Sequence, residues 1–240
     1  MSASVLQWVV LVACGLGAAL RIPEVLKGRG RLIFAALVLL TAAVALSLGP
    51  IYEAVDGILG GVNVANLALR LILYTVFLLL GMRVAAALGS PLARRLIAGP
   101  VGLVILGVTV AATLYFFLAS DLPVSSAGLR DFGQQETVKH YAGLGRIYPG
   151  YVSACLVVPS VASVVDVHAR LLHRFACAFL AVGFSLVVVF VVLRLLPLEI
   201  GQWDIILPFT AILFTVLGLG LIWLSHTLSR RNGTRSNKLG

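Results

Sequence analysis

The chain has 240 residues, 60% of them hydrophobic and 11% charged, with a mean hydropathy of +1.08 and a formal net charge of +9. A soluble domain has about a quarter of its residues charged, so this composition excludes an ordinary soluble domain and makes the bilayer the solvent. The bases are scattered over short segments, which argues against a nucleic-acid partner.

A helix needs about 20 mostly apolar residues to cross the hydrocarbon core. Scanning for such runs predicts an all-α membrane bundle of seven helices, at 4–20, 32–49, 63–82, 99–119, 146–165, 175–196 and 204–226. Residues 1–229 then form one transmembrane domain and 230–240 a basic tail.

In the first run, Leu11-Val12-Ala13-Cys14-Gly15 spells a lipoprotein cleavage box. No base precedes the run and several follow it, the reverse of a signal peptide. The links set the orientation. Arg21, Lys27, Arg29 and Arg31, then Arg83, Arg94 and Arg95, then Arg170 and Arg174, then Arg230, Arg231, Arg235 and Lys238 alternate with the helices, and together they make 13 of the 18 bases. Only Glu24 and Asp166 accompany them, while Glu53, Asp56, Asp121, Asp131, Glu136, Glu199 and Asp204 fall on the other side. Because Lys and Arg near helix ends are retained in the cytoplasm, the N-terminus is expected outside and the C-terminus in the cytoplasm of a multi-pass cell-membrane protein. The sequon Asn232-Gly233-Thr234 then lies on the wrong side for glycosylation.

The second run ends at Gly49-Pro50, and the third is expected to start near Asn63. Within the third, Asn63, Asn66, Arg70 and Tyr74 are three, four and four residues apart, a polar stripe on one helical face. At 1.5 Å per residue Arg70 is about 10 Å below the outer boundary. Arginine costs about 2.5–3.5 kcal/mol at mid-membrane, so Arg70 should face protein or water.

Between the fourth and fifth runs, residues 121–145 form a long connection, expected to be either a plain linker or a lid with a short surface helix over 131–140. The fifth run brings Arg146 at its outer start, then Gly150, Ser153 and Ser160 on one face, with Pro149 and Pro159 predicting a kink. The sixth brings Arg194 near its outer end. Its close, LRLLPLEIGQWD, echoes LSLGPIYEAVDG at the end of the second, which is either a trace of duplication or two ordinary outer helix ends.

Two readings of the three arginines stay open. They can line an outward-facing, water-accessible cavity that receives an anionic small molecule, with Asn63, Asn66, Tyr74 and Ser153 orienting it. Alternatively Arg70 pairs with Glu53, Asp56, Glu199 or Asp204, and Arg194 snorkels to the headgroups.

Chemistry of other kinds finds little support. Cys14, Cys155 and Cys177 lie in helices without paired spacing, and His140, His168, His173 and His226 form no ligand pattern, so no metal or cofactor is expected. No nucleophile elbow, phosphate loop or acid dyad points to an enzyme. The last run has no lysine for a retinal Schiff base, no Pro-Gln pair marks a sugar transporter, and the helix motifs of a G-protein-coupled receptor are missing.

The segment GPIYEAVDGILGGVNVANLALRLILYTVFLLL, with Pro50, Tyr52, Asp56, Gly61, Val62 and Asn63, resembles the proline-aromatic-acid turn and Gly-Val-x-Asn step of an actinobacterial family of multi-pass membrane proteins labelled as transporters. KHYAGLGRIYPGYV resembles the same family. The resemblance implies a bacterial small-molecule transporter or permease. The alternative is a membrane sensor that couples an outer signal to a cytoplasmic partner through the basic face. Besides the lipid bilayer, a second copy of the chain is an open partner.

Overall fold

The computed structural model describes residues 3–196 and 201–236, and from residue 226 onward the backbone alone. Among the described residues the fold is all helical: α1 Ala3–Ala19, α2 Ile22–Leu26, α3 Arg31–Leu46, α4 Gly49–Ile58, α5 Val64–Ala87, α6 Pro91–Ala98, α7 Pro100–Leu118, α8 Glu136–Val165, α9 Leu171–Leu195 and α10 Trp203–Ser236, with a 3-10 turn at Ala127–Phe132. Six stretches are long and apolar enough to cross a membrane, and the bent pair α3 and α4 makes a seventh if it is taken as one span.

Several boundaries differ from the sequence expectation. The second helix stops at Leu46, and Gly49–Ile58 forms a separate helix set at 96° to it. Pro50 has no N–H to bond the preceding turn, so it opens a helix where it cannot continue one. At 16 residues, α3 is about 24 Å long, shorter than the ~30 Å hydrocarbon core. The fifth run begins a full ten residues early, at Glu136, and continues for 30 residues through both Pro149 and Pro159. The expected surface helix over 131–140 is therefore the end of a 3-10 turn and the start of α8. At the other end, α10 continues past 226 into the expected tail, to Ser236. Pro197 and Glu199, invoked for duplication and for pairing with Arg70, lie outside the described residues.

The long helices pack in a closed circuit: α1 on α3, α3 on α5, α5 on α8, α8 on α9, α9 on α10 and α10 back on α1. Small residues make this possible. A side chain on Gly81 of α5 would meet Val152 of α8 at 2.7 Å, one on Gly183 of α9 would meet Thr215 of α10 at 2.6 Å, and one on Gly218 would meet Leu180 of α9 at 2.8 Å. Because lipid tails are as apolar as the helix surfaces, no hydrophobic effect drives association in a bilayer, and such close backbone approach supplies the packing energy between membrane helices. α7 rests on α8 and α5 and buries only Gly102, Thr109 and Thr113. Its remaining face, with Val104, Val108 and Leu118 exposed, is suited to lipid.

The link at 121–135 is fastened to the bundle. The Gln135 side chain donates to the Asp121 carbonyl at 2.9 Å and accepts from the Asp121 N–H at 3.3 Å, closing the loop's ends. Leu122, Leu129, Val138 and Tyr141 form a small apolar cluster with Phe116, Phe117 and Phe132. A plain solvated linker would have no such core.

Arg21, expected to be one more base in the first link, is instead buried, with its Nη2 donating to the Leu219 carbonyl of α10 at 3.2 Å.

Candidate functional site

The site begins with Asp56 on α4. The four leading N–H groups of a helix have no intrahelical acceptors, and the fully buried Asp56 carboxylate meets two donors at the start of α5: the N–H of Asn63 and that of Ala65, both at 2.9 Å. Asp56 is thus committed to backbone. Of the four acids offered as partners for Arg70, Asp56 instead forms this cap from the preceding helix.

Asn63 takes the left-handed conformation (φ 63°), which asparagine tolerates better than most side chains. That backbone turn aims its amide at the 121–135 loop. Its Oδ1 accepts from the Tyr52 hydroxyl at 2.9 Å and from the Ser126 N–H at 2.7 Å, while its Nδ2 donates to the Val124 carbonyl at 2.7 Å. Asn63 is therefore a latch between α4, α5 and the loop.

One turn deeper, Asn66 and Arg70 do share a face, as their spacing predicts. Arg70 Nε donates to Asn66 Oδ1 at 3.2 Å and Nη1 to the Tyr141 carbonyl at 2.8 Å, with the guanidinium 3.8 Å from the Tyr141 ring centroid. The Tyr141 hydroxyl donates to the same Asn66 Oδ1 at 3.0 Å. These partners are all neutral. Charged hydrogen bonds contribute about 1.5–3 kcal/mol each and a cation–π contact about 0.5–2. Together they offset the insertion cost of about 2.5–3.5 kcal/mol. An acid is not needed to hold Arg70.

Tyr74 departs from the stripe's role. Its hydroxyl shares a 2.8 Å hydrogen bond with Thr113 of α7, and its ring meets Tyr148 edge to face at 6.1 Å. It ties α5 to α7 and α8. Arg194 forms an ion pair with Asp204 at 3.1 Å, joining the end of α9 to the start of α10, with both side chains about a third exposed. Such a pair contributes little, about 0–1 kcal/mol, and it removes Asp204 from the possible partners of Arg70.

Arg146 differs from the other two arginines. Because α8 starts at Glu136, Arg146 lies three turns inside the helix and not at its mouth. Among the described residues it makes no hydrogen bond or ion pair; its guanidinium stands 5.8 Å from the Phe190 ring centroid. Both side chains border a cavity of about 160 Å³ with walls from α3, α5, α8, α9 and α10. Leu40, Val76, Phe77 and Ile212 are typical of the lining. The polar exception besides Arg146, Thr215, spends its hydroxyl on the Ala211 carbonyl at 2.8 Å.

Of the expected site residues, then, Arg146 lines this cavity, and Arg70 adjoins it through Gly145, which is in the wall. Asn63 and Asn66 lie toward the α4 end, Tyr74 is level with the cavity but faces Thr113 and Tyr148, and Arg194 is paired. Ser153 is fully buried on α8 with its hydroxyl unbonded among the described residues. Gly150, on the face expected to carry it, packs closely on Val191 of α9.

Sequence reasoning passed over Tyr141, Gly145 and Phe190. Tyr141 carried a signal: Val138, Tyr141, Tyr148 and Val152 recur at helical spacing, which extends α8 upstream. The cysteines are free, and no cluster of metal-ligating side chains occurs among the described residues. Comparison of the chain with protein-family models, curated proteins and solved structures returns no match.

Proposed function

We propose that the chain is a multi-pass membrane transporter of the permease type for a small anion, with its loading side at the end that carries α4 and the 121–135 loop. The carrying observation is Arg146, a cation in the wall of a cavity between five membrane helices with no acid paired to it among the described residues. An ionisable group at such depth is a site by default, and a binding chamber inside a helix bundle is where transporters hold cargo. Arg70, held by neutral acceptors between that chamber and the Asn63 latch, is placed to attract an anion on entry. The segments 49–80 and 139–152, which resemble an actinobacterial transporter family, point the same way. The charge distribution supports an outside N-terminus, so the loading side faces outward.

The test is flux into proteoliposomes containing the purified chain. Arg146→Gln and Arg70→Gln should each lower anion uptake about tenfold or more while the protein remains monodisperse in detergent. Normal uptake in both variants would remove the site. Anion binding without uptake would instead favour the sensor alternative.

A further inference from the structure

The chamber's size and chemistry narrow its cargo. An engineered cavity of about 150 Å³ lined by aliphatic and aromatic side chains stays dry and admits benzene; the present one is about 160 Å³, with Leu40, Val76, Phe77, Phe190 and Ile212 in its wall. We infer that it binds a small organic monocarboxylate, the carboxylate on Arg146 and an uncharged apolar body about the size of a benzene ring in the cavity. This rests on reading the chamber as the transport site.

Competing ligand classes fail on the same wall. A sugar would bury several hydroxyls where the Thr215 hydroxyl is already bonded to Ala211, and each unmet polar group costs about 1–3 kcal/mol. An amino acid would bring an ammonium to a wall that has no acidic side chain. The nearby charges worsen this: among the described residues Arg70 and Arg194 act on Arg146 as like charges, and Asp204 opposes them. Chloride or phosphate would satisfy the arginine but leave the apolar walls empty. A monocarboxylate with a compact hydrocarbon body neutralises the cation and fills the space. Arginine also suits carboxylate geometry, since its planar fork can bond both oxygens.

Equilibrium binding of radiolabelled benzoate to the purified full chain tests this, with benzylamine, phenylalanine and dodecanoate as competitors. Expected is saturable binding that Arg146→Gln weakens about tenfold or more and that Ala211→Phe, which enlarges a residue of the cavity wall, abolishes. Arg146→Lys should retain more binding than Arg146→Gln, which separates charge from folding. Benzylamine or phenylalanine competing as well as unlabelled benzoate would overturn the charge assignment. Dodecanoate binding tighter than benzoate would overturn the size limit. Arg146-dependent chloride or phosphate flux without benzoate binding sinks the ligand class and spares transport, whereas benzoate binding without flux spares the ligand class and sinks transport.

Discussion

Arg70 and Gly145 occupy one another's space: the guanidinium of α5 lies where a methyl group on the α8 glycine would be. The missing side chain lets Arg70 reach the Tyr141 carbonyl one turn upstream. A helix in which Ala replaces Gly gains about 1 kcal/mol from propensity, so leaving glycine here forgoes stability in favour of the contact.

Gly145→Ala should therefore displace Arg70 and cost about 1–3 kcal/mol through the lost charged hydrogen bond, against the propensity gain. In an Arg70→Gln background the same change should cost much less, because the shorter amide need not enter that space. A double-mutant cycle on thermal stability in detergent reads the coupling. Additive effects would show that Gly145 and Arg70 do not meet in the membrane.

Asp56 and Asn63 predict two separable effects. Asp56→Asn leaves one carbonyl oxygen for the two α5 donors now served by a carboxylate, so stability should fall by about 1.5–3 kcal/mol. Asn63→Gly keeps the left-handed backbone but removes the bonds to Tyr52, Val124 and Ser126. Its expected signature is faster hydrogen exchange over 121–132, together with a loss of about 1–3 kcal/mol from the buried groups left unpaired. Unchanged exchange in the loop would show that the latch carries no weight.

These two residues also mark what the sequence made legible. Long apolar runs announce membrane helices because the bilayer imposes their length, and Arg70 announces itself because a charge there is costly. The start of α5 at Asn63 and the Asn66–Arg70 pair were legible from helical spacing. Asp56 is one of four acids that the sequence offers Arg70 in one of its two readings, because sequence gives charge but not distance; only the fold sets it over the α5 N–H groups. The beginning of α8 was hidden because Glu136, Lys139 and His140 lower the local hydropathy, although the buried Val138 and Tyr141 keep helical register. A cavity at the arginines is one of the sequence's two readings, but its apolar walls were not legible, since they arise where five helices from distant parts of the chain fail to fill the middle.

Glycines on α10 offer an internal control for packing. A side chain on Gly218 would press on Leu180 at 2.8 Å and on the Ala176 carbonyl at 3.0 Å, whereas one on Gly220 meets nothing within 4 Å. Gly218→Leu should destabilise the α9–α10 pair by about 1–3 kcal/mol, and Gly220→Leu should leave stability within about 0.5 kcal/mol. Equal effects on the detergent melting temperature would mean that the two helices pack on different faces.

The outward loading side rests on charge alone and so has its own test. Links that carry 13 of the 18 bases alternate with links that carry seven of the nine acids, and Lys and Arg close to helix ends resist translocation. With Cys14, Cys155 and Cys177 replaced by alanine, single cysteines at Glu53 and Asp121, both exposed, should react with a membrane-impermeant maleimide on intact cells. Cysteines at Lys27 and His168, also exposed, should react only after the membrane is opened. The reverse pattern would turn the Asn63 latch and Arg70 toward the cytoplasm: the packing and the chamber around Arg146 would stand, but cargo would load from inside, and uptake assays would have to be read as export.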